Sequence, residues 1–72
     1  MSRRVQTKLI HEGQYAAEVE VELIDTGEGW SPYLSLADAH KLDEVREALR
    51  REDVRRASQL ARVFHLTPIH VS

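Results

Sequence analysis

Between Ala17 and Leu23 the chain alternates without a break: Ala17, Val19, Val21 and Leu23 are apolar, and Glu18, Glu20 and Glu22 are acidic. A period of two sends successive side chains to opposite faces of an extended strand. Tyr15 to Asp25 therefore reads as a strand with one buried and one wet face. The rest of the chain must cover the apolar face or meet the acidic one.

Seventy-two residues make one domain, residues 1–72. A chain of this size buries only about 60 % of its unfolded surface. With no cysteine, neither a disulfide nor a thiolate metal site can staple it. A second chain is the natural expectation, as a homo-oligomer or a hetero-complex with a protein partner. The net charge of −2 gives no general attraction to nucleic acid or to an anionic membrane. The N-terminal MSRRVQTKLIHEG lacks the apolar run of a signal peptide, and the expected location is the cytoplasm.

Arg3 to His11 alternates more weakly, with Val5, Thr7, Leu9 and His11 against Arg4, Gln6, Lys8 and Ile10. Gly13 offers the positive φ that a tight connection wants. A three-residue loop, Glu12 to Gln14, matches the apolar faces: Leu9 meets Ala17, Thr7 meets Val19 and Val5 meets Val21. That register sets Lys8 beside Glu18 and Arg4 beside Glu22 on the wet face. Thr26 to Gly29 is a turn signal, and Trp30 to Ser35 offers a short third strand. Pro32, which cannot donate to a ladder, confines that strand to an edge.

From Leu36 the period becomes helical: Leu36, Ala39, Leu42, Val45 and Leu49 form a stripe at spacings of three and four. Ser35 is a candidate N-cap with Asp38 three residues on, and Asp43 could cap a second, shorter helix. Asp53 reads as the N-cap of a last helix from Val54 to about His65, with Val54, Ala57, Leu60, Ala61 and Phe64 inward, ended by Thr67-Pro68. The expected fold is α+β: an antiparallel β-meander of two to three strands, then two to three helices packed on one face.

Three constellations could carry function. The row Glu18, Glu20, Glu22 has the form of a solvated outer sheet face; as a recognition stripe, its repelling like charges would favour a cationic partner. Trp30 and Tyr33 flank Pro32 as core aromatics or, if exposed, as interface anchors that join the glutamates in a partner-binding set. Arg46, Arg50, Arg51, Arg55, Arg56 and Arg62 lie on two successive helical segments, superficially a helix-turn-helix. Asp43, Glu44, Glu47, Glu52 and Asp53 share that segment and nearly cancel its charge, which is the pattern of a salt-bridged solvent face. His11, His40, His65 and His70 lack the i,i+4 spacing of a zinc helix, so no metal is expected. No phosphate loop or nucleophile–histidine–acid set is present, and neither enzyme activity nor a cofactor is expected.

The segment GWSPYLSLADAHKLDEVREALRREDVRRASQLARVFHLTP, Gly29 to Pro68, resembles a group of small bacterial proteins of antitoxin-like type, and IHEGQYAAEVEVELI before it also looks similar. Their shared pattern is GWSPYLS…DA.KLD.VR.ALRR.D…LARV..LTP, and they are associated with toxin–antitoxin gene pairs. The resemblance implies antitoxin-like behaviour and gives no individual residue a role. The chain departs from the pattern at Glu52, where a helix-ending glycine is expected. The functional expectation is a non-enzymatic protein that neutralises a basic, ribonuclease-type toxin through its acidic strand face. The alternative is a small dimeric DNA-binding regulator using the arginine-bearing helices.

Overall fold

The computed structural model describes residues 2–27, 29 and 32–71. Six elements follow in chain order: β1 (Ser2–Glu12), β2 (Tyr15–Asp25), β3 (Tyr33–Leu34), α1 (Leu36–Arg50), α2 (Val54–Leu60) and β4 (Arg62–His65). All strand pairings are antiparallel, and β2 lies in the middle. β1 runs along one side of β2; β3 and β4 share the other side, β3 at the C-terminal end of β2 and β4 at its N-terminal end. The fold is thus the expected α+β arrangement, an antiparallel sheet with two helices on one face.

The core forms where the alternation of β2 meets the helical stripe. Ala17, Val19 and Val21 pack with Ile10, Val45, Ala48, Leu49 and Ala57, and Tyr15, Leu34, Leu42, Leu60, Ala61 and Val63 close around them. Leu49 is buried as expected, whereas Leu36, at the start of α1, is exposed. α1 is one unbroken helix, so Asp43 caps nothing. The Ser35 hydroxyl accepts from the Asp38 amide at 3.1 Å, and an Asp53 carboxylate oxygen accepts from the Arg56 amide at 3.1 Å. Both side chains satisfy helix N-terminal amides that have no partner within the helix.

Two expectations fail. The hairpin loop is Gly13-Gln14, two residues and not three, which shifts the register by one: Val5 lies across from Glu22, Gln6 from Val21, Lys8 from Val19 and Ile10 from Ala17. Gly13 has φ +58° and Gln14 does not share the positive φ, the pattern of a type II′ turn with glycine first. A one-residue slip turns every side chain to the other face. Ile10 is consequently 4 % exposed, while Val5 and Leu9 are 74 % and 71 % exposed. Lys8 and Arg4 do not lie beside Glu18 and Glu22.

The last helix also ends early. It stops at Leu60, Ala61 is extended, and Arg62–His65 pairs with β2 as a fourth strand. Helical spacing continues through Phe64, but the open edge of β2 at Tyr15–Glu18 offers ladder hydrogen bonds, and burial of Val63 rewards the extended form. The ladder continues one step further, from the Leu66 amide to the Gln14 carbonyl at 2.6 Å. Phe64 is therefore not a helix residue packed inward; it stands on the face of the sheet away from the helices. Val54 is likewise part-exposed at the start of α2.

The molecule is thin and long, 50 × 31 × 14 Å, with a Cα radius of gyration of 14.8 Å. A compact chain of this length would have about 11 Å. The excess comes from the hairpin arm: every residue of β1 from Ser2 to Leu9 is exposed.

A candidate partner-binding face

The face of the sheet opposite the helices is built in rows that follow from the register, because residues directly across a ladder share a face. Leu9, Glu18 and Arg62 make one row; His11, Ala16 and Phe64 lie on one side of it. Thr7 with Glu20, then Val5 with Glu22, continue on the other side. Arg3, Ile24 and Tyr33 make the far row. The glutamates thus run down the middle of this face, with exposed Val5 and Leu9 as their β1 neighbours.

The charge of the row is partly answered. Arg3 lies 3.7 Å from Glu22. The Arg62 guanidinium sits over the Phe64 ring at 5.4 Å, a cation–π contact beside Glu18. Among the described residues Glu18 and Glu20 form no ion pair. The face is mixed, acidic at its centre, apolar along β1 and cationic at both ends.

Between β3 and β4 the edge of β2 has no strand partner, and α1 fills the gap with side chains. Asp38 accepts the Glu22 amide at 2.7 Å, and Lys41 donates to the Glu20 carbonyl at 2.9 Å. Backbone groups that would otherwise lack a partner are satisfied, and the edge is blunted. Below this gap Thr7, Glu18, Glu20, Lys41, Leu60 and Arg62 line an open depression.

The structure brings together Glu18, Glu20, Glu22 and Tyr33, four of the expected partner-binding residues, on one face. Tyr33 is half exposed. Trp30, the fifth, lies outside the described residues. Arg62, expected on a helix, is instead a strand residue of the same face.

Four of the remaining arginines, Arg46, Arg50, Arg51 and Arg56, are held by the protein's own carboxylates. Arg50 reaches Glu12 at 3.3 Å and Glu47 at 3.9 Å, Arg46 reaches Asp43 at 3.5 Å, and Arg51 reaches Glu47 at 3.2 Å. Arg56 joins Glu44 of α1, pinning α2 to it. Arg55 is the arginine of the two helices that has no ion pair among the described residues. An exposed pair of this kind is worth about 0–1 kcal/mol, so the network orients side chains more than it stabilises. His11 meets the Gly13 carbonyl at 3.0 Å, and His65 meets the Gln14 side chain at 3.3 Å and the Tyr15 ring edge-on. Among the described residues no three histidine, aspartate or glutamate side chains converge to hold a metal ion.

Residues missed by sequence reasoning are Val5, Leu9 and Phe64, assigned to the interior. For Val5 and Leu9 the sequence signal was the Gly13-Gln14 loop, which fixes the parity of the hairpin; Phe64 depends on the pairing of β4 with β2. No helix is long and apolar enough to cross a membrane among the described residues. No protein-family model, curated protein or solved structure matches the chain.

Proposed function

We propose that the chain is a non-enzymatic, cytoplasmic protein-binding module that docks the uncovered sheet face onto a basic protein. In the antitoxin-like form of this reading, the partner is a small ribonuclease-type toxin, and the glutamates occupy the basic surface where RNA phosphates would bind. One observation carries it: Glu18, Glu20 and Glu22 run down a sheet face that no helix covers, with Glu18 and Glu20 unpaired among the described residues and exposed Val5 and Leu9 alongside. Central carboxylates with apolar neighbours suit a protein surface; a polyanion such as DNA would be repelled. The arginines of the alternative reading are largely engaged with carboxylates of their own helices.

The test is the triple variant Glu18→Lys, Glu20→Lys, Glu22→Lys, assayed against the protein encoded beside it in the genome. Binding is expected to disappear while circular dichroism stays unchanged, because the three side chains point away from the core. Reversing three charges opposite a basic surface adds repulsion and slows association. Unchanged affinity in a folded triple variant sinks the acidic-face reading. In the same assay Arg55→Glu should leave protein binding intact.

A further inference from the structure

The outer edge of β1 is an open strand edge among the described residues. Among the described residues nothing pairs with it along Ser2–Glu12, and no proline, glycine or bulge interrupts it. An edge this long is a template for another strand.

The direction of its hydrogen bonds is fixed by β2. The Glu22 amide and Glu20 carbonyl point away from β1, towards Asp38 and Lys41. The odd-numbered residues of β2 therefore bond to β1, and their partners are Arg4, Gln6, Lys8 and Ile10. Arg3, Val5, Thr7, Leu9 and His11 are left with amides and carbonyls directed outward.

We infer that two copies of this chain join antiparallel through β1, about a two-fold axis at Thr7, so that Val5 of each copy lies across from Leu9 of the other. Three independent features select this register. Thr7 is the midpoint of Ser2–Glu12, so the axis there gives full overlap of the two strands. Outward groups on odd residues require odd to face odd, which this register satisfies with about ten ladder hydrogen bonds. Val5 and Leu9, the two exposed apolar residues of the strand, are symmetric about Thr7. On the other face Lys8 lies across from Gln6 and Arg4 from Ile10, so the cations of this edge avoid one another. Arg3 across from His11 is the least favourable pair. Sliding by two residues either way loses overlap and sets Val5 against Thr7 or His11.

Self-complementarity of this kind is what an isologous contact needs, and it singles out a second copy over an unrelated strand. The sheet becomes continuous through both chains, with the glutamate row of each on the same open face. This inference rests on β1 alone and is independent of the acidic-face reading.

The full chain carries the test, and the absence of cysteine makes it clean. Sedimentation at tens of micromolar should give twice the chain mass. In the hydrogen-bonded pair at the axis the two Thr7 Cα atoms would be about 5.5 Å apart, within disulfide range. Thr7→Cys should therefore link into a covalent dimer under mild oxidation, whereas His11→Cys, far from its own copy in this register, should not. Leu9→Lys, at a site already exposed in the single chain, should keep the folded circular dichroism spectrum and weaken association roughly tenfold or more. A folded wild type that sediments as one chain overturns the inference. So does a His11→Cys variant that links as readily as Thr7→Cys, or a dimer that Leu9→Lys leaves intact.

Discussion

β1 and β2 are the same length, antiparallel and joined by two residues, yet they stand in opposite conditions. β2 has neighbours on both sides, helices over one face, and three of its apolar residues buried below 3 % exposure, Ala17, Val19 and Val21. β1 has one neighbour and contributes a single buried residue, Ile10. The difference shows that alternation alone does not bury a strand. What counts is which positions fall beneath α1, whose Arg46 and Arg50 approach Glu12 beside the hairpin loop.

The sharpest way to break this comparison uses two adjacent residues. Ile10→Ala should cost about 2–4 kcal/mol, since it removes a side chain packed against Ala17 and the helices and leaves a cavity. Leu9→Ala should stay within about 0.5 kcal/mol in chemical denaturation at a concentration low enough to keep copies apart. Equal losses, or the reverse order, would restore the register in which Leu9 is interior.

A second test compares how the two strands leave their edges. β2 has its gap closed by Asp38, whose carboxylate also lies in the first turn of α1, where the helix dipole favours a negative charge. Asp38→Ala strands the Glu22 amide and should cost about 1–2 kcal/mol. Asp43→Ala, on the same helix but exposed and paired only with Arg46, should cost no more than about 0.5 kcal/mol. If both are neutral, the gap in β2 is as open as the edge of β1, and the contrast between the strands weakens.

The contrast also explains what the sequence disclosed. Ala17 to Leu23 was legible because every second residue is apolar and every other one charged, leaving one face to bury. β1 carries apolar residues on both parities, Val5 and Leu9 against Ile10, and counting favours the pair. The structure buries the single one, because the two-residue turn begun by Gly13 sets the parity before packing is counted. Ser35 and Asp53 were legible because capping is local chemistry. β4 was not, because Leu60, Ala61 and Phe64 keep helical spacing and only the distant edge of β2 overrides it. The glutamate row could be read in one strand, but its neighbours Leu9, Arg62 and Phe64 depend on register and on β4.

The smallest expected effect lies at the junction of the helices. Glu52 has φ +59°, the left-handed region that favours glycine. Its amide bonds to the Leu49 carbonyl at 3.0 Å and the Asp53 amide to the Ala48 carbonyl at 2.8 Å, the paired bonds of a Schellman ending. The turn is thus made sharply without glycine, at a backbone cost of about 1 kcal/mol for a residue with a Cβ. Glu52→Gly relieves that cost but frees the unfolded chain, which offsets about half of it. The net expectation is a gain of about 0.5 kcal/mol, a rise in Tm of roughly 2–4 °C at fixed protein concentration. Gly13→Ala is the converse experiment, since a Cβ there meets no atom and only the conformation resists it. It should lose about 1 kcal/mol. A Glu52→Gly variant less stable than wild type would mean that the Glu52 side chain contributes more than its backbone strain costs, and that this turn, unlike the hairpin loop, is not set by φ.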